Sequence, residues 1–240
     1  LSHRYKDELS QEIPQVDSWF GTNELARLLK TLKADYKHEL VGERLLTTPA
    51  HYAYLKIAEG CDRSCGFCAI PSFRGPQRSR DVASILTEVE QLEVREVVLI
   101  AQDLASYGKD RPDELGAGSI VQLVRDVAVM ADWVRLLYLY PSDLSDELID
   151  AILDTGVPYF DLSLQHASKE HLRRMKRWGD GPRFLERIAR IRTLSPDAAF
   201  RSNFIVGYPG ETEADHDEML RFIEEAQLDW CGFFTYSAED

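Results

Sequence analysis

From Tyr52 onward, short apolar runs alternate with longer amphipathic ones. Runs of strand length cover Ala53–Ala58, Glu96–Ala101, Val134–Tyr140, Tyr159–Leu164, Ala199–Val206 and Gly232–Tyr236. Between them apolar residues recur at helical spacing. Val82, Ile85, Leu86 and Val89 share one face, as do Met219, Phe222, Ile223 and Ala226. Ser145, followed by Asp146 and Glu147, has the chemistry of an N-cap with acids in the first turn, and Thr212 opens the last helix in the same way. Strands alternating with helices predict an α/β fold with a parallel sheet. Six such units make either an open doubly wound sheet or most of a barrel, and in both the chemistry belongs where strands end. The polar positions follow that rule. Cys61 comes after the first strand, Gln102 and Asp103 after the second, Gln165 and His166 after the fourth, Gly207 to Glu211 after the fifth, and Ser237 after the sixth.

Residues 1–48 have a different pattern. Arg4 to Ile13 and Glu24 to Leu32 read as two short helices separated by a break at Asp17 to Gly21, and Arg44 to Pro49 reads as a polar linker. The expected organisation is the tail of one domain over 1–48 and a core domain over 49–240. A start at Leu1 and an abrupt end at Asp240 lead us to expect a segment of a longer protein.

Composition narrows the function. At 240 residues the chain can bury a sizeable core. No apolar run approaches the roughly 18 residues of a membrane span, so a cytoplasmic location is the expectation. A net charge of −13 disfavours nucleic acid as a direct partner unless a local basic patch is present. Three of the 4 cysteines lie within one short loop, which points to metal binding or catalysis rather than a disulfide framework.

That loop, Cys61-Asp62-Arg63-Ser64-Cys65-Gly66-Phe67-Cys68, is the most informative stretch. Its thiolates can converge on one centre, and Phe67 can shield one side. Held by three cysteines, a cubane iron–sulfur cluster keeps one iron without a protein ligand, open to a small chelating cofactor. Zinc with His51 or His166 as fourth ligand is the alternative, and three plain reduced thiols are a third reading.

The spacing Cys-x3-Cys-x2-Cys, with an aromatic before the last cysteine and directly after a first strand, resembles the radical S-adenosylmethionine superfamily. Ala53 to Ile57, Phe67 to Pro76 and Arg78 to Arg80 are similar to its methylthiotransferase family. So are Leu136 to Pro141, Leu164 to Ser168, Ile205 to Thr212 and Phe234 to Ser237. The likeness covers 52–240 and is closest to the branch that modifies a ribosomal protein. It implies a partial (βα)6 TIM-like barrel with a remnant of an N-terminal domain. It also implies a 4Fe-4S cluster on Cys61, Cys65 and Cys68, and S-adenosyl-L-methionine as cosubstrate. The implied reaction is methylthiolation of an aspartate β-carbon of ribosomal protein S12, fed by an electron donor such as flavodoxin or ferredoxin. A second cluster on an N-terminal domain and a C-terminal TRAM barrel belong to that family and are absent from this sequence. The alternatives are a transfer-RNA methylthiotransferase with the same machinery and a non-catalytic zinc scaffold.

Further residues carry paired readings. Gln102 and Asp103 are candidates for the cofactor's methionine end or for a capped strand end, and Gln165 is preferred to His166 as a ligand contact. Arg201, inside an apolar strand, must meet a carboxylate of the protein or of the cofactor. Gly207, Gly210 and Glu211 are expected to make a tight strand-to-helix turn and, in the same conformation, to bring backbone to adenine or ribose. Phe234 and Tyr236 form an aromatic wall beside adenine or pack internally. Arg74, Arg78 and Arg80 touch substrate or cofactor, or are solvated charge. Cys231 reads as structural.

Overall fold

The structure is a computed structural model and describes residues 5–22, 24–34, 46–116 and 119–238. Helices α1 (Lys6–Glu12) and α2 (Leu25–Thr31) match the two expected helices, and neither contains a buried residue. Of the linker expected over Arg44 to Pro49, residues 44 and 45 lie outside the described residues. Thr22 ties the segment to the rest by donating from Oγ1 to the Phe73 carbonyl at 2.8 Å.

Strand β1 (Tyr52–Lys56) is followed by the short β2 (Ala58–Glu59), helix α3 (Ile70–Arg74), β3 (Arg78–Ser79) and α4 (Val82–Leu92). Then come β4 (Glu96–Ile100), α5 (Pro112–Leu115), α6 (Ser119–Ala128), β5 (Trp133–Leu136), α7 (Asp146–Asp154) and β6 (Tyr159–Gln165). The chain continues through α8 (Lys169–Arg174), α9 (Gly181–Leu194), β7 (Ala199–Val206), α10 (Glu213–Ala226) and β8 (Trp230–Thr235). β1, β4 and β5 pair in parallel in that order, as do β6, β7 and β8. A parallel bridge between Leu139 and Leu162 joins the two sets, so the strands form one arc with the helices outside. The result is a partial barrel rather than a doubly wound sheet.

The helices bury the faces that their spacing predicts. Ile85 and Val89 of α4, and Met219, Phe222 and Ala226 of α10, are buried, while Val82, Leu86 and Ile223 pack against the core's margin. The caps form as well. Ser145 accepts from the Leu148 N–H at 3.2 Å, and Thr212 forms a reciprocal capping box with Asp215. The last strand runs Trp230–Thr235 rather than from Gly232 to Tyr236, and two other strands depart further from expectation. The first run breaks after Lys56, where Ala58 and Glu59 turn to pair antiparallel with Ser79 and Arg78 and close the base of the cysteine loop. The third ends at Leu136, because Tyr138 adopts φ +63° and interrupts the ladder before Leu139 rejoins it.

On the concave face of the arc, polar residues come in pairs. Arg201 donates to Asp161 at 2.8 Å across the β6–β7 register, so its carboxylate partner is a protein group. Arg135 pairs with Glu96 between β5 and β4. Each arginine is matched by a neighbouring-strand carboxylate, which removes the cost of a lone buried charge.

Candidate functional site

The cysteine loop hangs from the carboxyl end of β1 and is pinned to its surroundings by backbone hydrogen bonds. The Gly60 N–H donates to Gln102 Oε1 at 2.9 Å, the Cys61 N–H to the Gly75 carbonyl at 3.1 Å, and the Gly66 N–H to the Met175 carbonyl at 2.9 Å. Gly60 has φ +83°, and a Cβ there would lie 2.1 Å from the Pro76 carbonyl oxygen, so no other residue fits without moving backbone. Gln102, expected as a ligand contact or a strand cap, therefore holds the loop from the end of the neighbouring strand.

Cys61, Cys65 and Cys68 are free thiols, Cys61 buried and the others half-buried. All three line one cavity of about 140 Å³, together with Phe67, Gln102, Asp103, Gln165, Tyr138, Tyr140, Ser163, Ile70, Arg63 and Arg177. Burial raises the Cys61 and Cys68 thiols above their ordinary value. A metal or cluster binding there must displace those protons, which couples loading to pH. A second cavity of about 500 Å³ shares Ile70, Gln102 and Tyr138 with the first and opens over Tyr54, Lys56 and Leu137. A third, of about 360 Å³, shares Phe67 and Cys68 and reaches Tyr236 and Ser237.

Several cavity residues have no counterpart in the reading of the sequence. Arg63 donates from Nε to Asp103 at 2.6 Å, pairs with Asp143, and lies with its Cζ 3.9 Å from the centre of the Tyr140 ring. Desolvation works against the charge of the guanidinium, but the buried Asp103 and half-buried Asp143 carboxylates prevail and the Arg63 pKa is raised. Arg177 approaches the same ring at 4.2 Å and donates to Cys65 Sγ at 3.4 Å. Their only sequence signal is proximity of Arg63 to the cysteines. Two cavity residues, Tyr138 at φ +63° and Gln165 at φ +75°, occupy the left-handed region, a strain of order 1–3 kcal/mol each for a non-glycine residue. Gln165 sits where the β6–β7 register shifts, so the shift aims its side chain at the cavity.

The other candidates lie elsewhere. Arg201, Gly207, Gly210, Glu211 and Phe234 line none of these three cavities. The Glu211 carboxylate closes the strand-to-helix turn by accepting the Gly207 and Tyr208 N–H groups, and it faces His166 Nε2 at 3.4 Å. Phe234 is exposed on β8, and Tyr236 meets Tyr208 edge-on at 5.0 Å. Arg74 and Arg80 pair with Glu59 and Glu88 at 3.2 and 2.7 Å. Cys231 packs against the core, as expected of a structural cysteine.

The donor set fits a cluster better than a single ion. Tetrahedral zinc at about 2.3 Å from sulfur needs its thiolates within about 4 Å of one another. Among the described residues no three His, Cys, Asp or Glu side chains are gathered to hold one metal ion. The fourth-ligand candidates are also misplaced. His51 precedes β1 and lines a hollow with Arg95, Glu96, Asp132 and Trp133 at the opposite end of the sheet. His166 has both ring nitrogens engaged, Nδ1 by the Ser168 N–H at 2.9 Å and Nε2 by Glu211. Three thiols lining one cavity can each hold one iron of a single cluster.

A partial barrel of parallel strands with three cysteines on the loop after its first strand defines a class. The sequence profile of the radical SAM superfamily matches residues 55–223, and the chain belongs to that superfamily. Two solved radical SAM enzymes share the fold. One is the methyltransferase TsrM from Kitasatospora setae (TM-score 0.62, 16% identity, 80% of this chain and 39% of that one). The other is coproporphyrinogen III oxidase HemN from Escherichia coli (TM-score 0.56, 17% identity, 78% and 44%). Within the superfamily, the chain is 46% identical to the ribosomal protein uS12 methylthiotransferase RimO of Cytophaga hutchinsonii and 43% identical to that of Aquifex aeolicus. Each match covers 100% of this chain and 56% of the relative, so the chain spans about half the length of those proteins. Among the described residues no helix is long and apolar enough to cross a membrane.

Proposed function

We propose that the chain is the radical-generating core of a uS12 aspartate methylthiotransferase. The observation that carries this reading is the convergence of Cys61, Cys65 and Cys68 on one cavity at the carboxyl ends of a parallel arc. In this proposal the three thiolates hold a 4Fe-4S cluster, and the neighbouring cavity residues receive S-adenosyl-L-methionine. When bound, that pair supplies one-electron cleavage of the sulfonium bond to methionine and a 5′-deoxyadenosyl radical. Gln102 fixes the loop that carries Cys61. Gln165 and Asp103 offer polar atoms toward the cavity, Asp103 through an Oδ1 that is buried without a hydrogen-bond partner. Phe67 lines both the thiol cavity and the one that reaches Tyr236, and in this proposal its ring shields one side of the site.

The remaining steps belong to the whole protein. There we place hydrogen abstraction at an aspartate β-carbon of uS12, sulfur transfer from a second cluster, electron supply by a flavodoxin or ferredoxin, and action in the cytoplasm. Residues 49–240 are taken as the core and 1–48 as the end of a neighbouring domain. The 46% identity to a uS12 enzyme over the whole chain supports the protein substrate over transfer RNA. The test is anaerobic reconstitution with iron and sulfide, dithionite reduction, and detection of 5′-deoxyadenosine by mass spectrometry. The expected result is cofactor cleavage by the wild type and none by Cys65→Ala. A colourless zinc protein that leaves the cofactor intact would refute the assignment.

A further inference from the structure

We infer that Arg177 is a positioning residue for Cys65 and raises the reduction potential of the cluster proposed for the three thiols, an inference that rests on that proposal. The guanidinium is fixed from several sides. One Nη donates to the Ser163 carbonyl, the plane lies against the Tyr140 ring, and Nη1 donates to Cys65 Sγ at 3.4 Å. Tyr140 is held in turn by Arg63 on the same ring.

The two arginines differ in what balances them. Arg63 is neutralised by Asp103 and Asp143. Among the described residues no carboxylate forms an ion pair with Arg177, although it is half-buried and lines the thiol cavity. A half-buried, rigidly held cation without a counter-charge is costly unless an anion belongs beside it. The group it meets there is the Cys65 sulfur, which carries negative charge once the thiols are deprotonated to hold a cluster. Reduction of the cluster by one electron, supplied by a low-potential reductant, makes and breaks no bond. It adds one negative charge to a site already carrying three thiolates. A fixed positive charge and an N–H···S bond both favour the more negative state, and so favour reduction.

The test is an EPR-monitored redox titration of anaerobically reconstituted wild type, Arg177→Gln and Arg177→Lys, with dithionite as reductant and iron and sulfide measured for each. The expected result is unchanged iron content, with the ratio of reduced to oxidised cluster in Arg177→Gln lowered about tenfold at a fixed potential. That is a shift of about 59 mV to more negative values for one electron. Arg177→Lys should lie between, since it keeps the charge and loses the planar fork. A residue with only a structural role would alter thermal stability or iron content and leave the midpoint in place. If the glutamine variant loads no iron, the lysine variant carries the measurement. Failure of both to load, with native circular dichroism, assigns Arg177 to holding the cluster and overturns the tuning. Iron-loaded variants with an unmoved midpoint also overturn it. Wild-type protein that takes up no iron defeats the cluster assignment itself, and this inference with it.

Discussion

Gly60→Ala tests whether the cysteine loop depends on a close backbone approach at its entry. Two costs are expected. At φ +83° an L-residue is disfavoured by about 1–2 kcal/mol. In addition, the new Cβ would lie 2.1 Å from the Pro76 oxygen and 2.6 Å from the Gly75 oxygen. Both are backbone atoms, and the Gly75 oxygen accepts the Cys61 N–H. Relief therefore requires the two legs of the loop to separate by about an ångström, at roughly 1–3 kcal/mol of overpacking. The sum is about 2–5 kcal/mol. Gly156→Ala is the control: its φ is +76° and nothing lies within 4 Å of the added Cβ, so only the conformational part, about 1–2 kcal/mol, applies. Urea denaturation of both variants separates the steric part, and iron uptake on anaerobic reconstitution reports whether Cys61 is displaced. If Gly60→Ala matches Gly156→Ala to within about 0.5 kcal/mol and loads iron normally, the close-approach reasoning is wrong.

Three further outcomes are expected. Gln102→Ala removes the acceptor of the Gly60 N–H and should cost about 1–2 kcal/mol in urea unfolding, with slowed cluster assembly followed by visible absorbance; unchanged assembly would mean that the loop holds itself. Asp103→Ala leaves Arg63 with Asp143 as its remaining carboxylate and should cost about 2–3 kcal/mol, with Asp103→Asn cheaper because an acceptor remains for Arg63 Nε and Ser106 Oγ; equal losses in the two variants would contradict this. Burial holds the His166 imidazole below its ordinary pKa, so the unfolded chain binds a proton near pH 6.5 while the folded chain stays neutral. Stability is then full above about pH 6.5 and declines as the pH falls toward the folded value. His166→Asn should flatten that decline in urea titrations between about pH 7 and 5, and an identical slope would remove His166 from the account.

The sequence by itself determined the parts whose information is local. Apolar runs of strand length and helical faces such as Ile85 with Val89 follow from periodicity, and the structure places both as predicted. The Ser145 and Thr212 caps depend on side chains three residues from the amides they serve. The cysteine motif was legible for the same reason, since Cys61, Cys65 and Cys68 share one short loop. So was the demand that Arg201 be paired, because desolvation cost depends on residue type and burial; only the identity of its partner, Asp161, was missing.

Tertiary structure decided what surrounds the thiols. Arg177 stands far from Cys65 along the chain, and Asp143 far from Arg63. An arginine in a sequence carries no sign of whether it will meet a carboxylate, a ring or a sulfur. The arc brings the end of each strand to one rim, and loops distant in sequence become neighbours there. Whether the Glu211 carboxylate of the tight turn is free to meet a cofactor was of the same kind. It rested on whether two backbone N–H groups already occupied the carboxylate, and only the folded chain places them within reach.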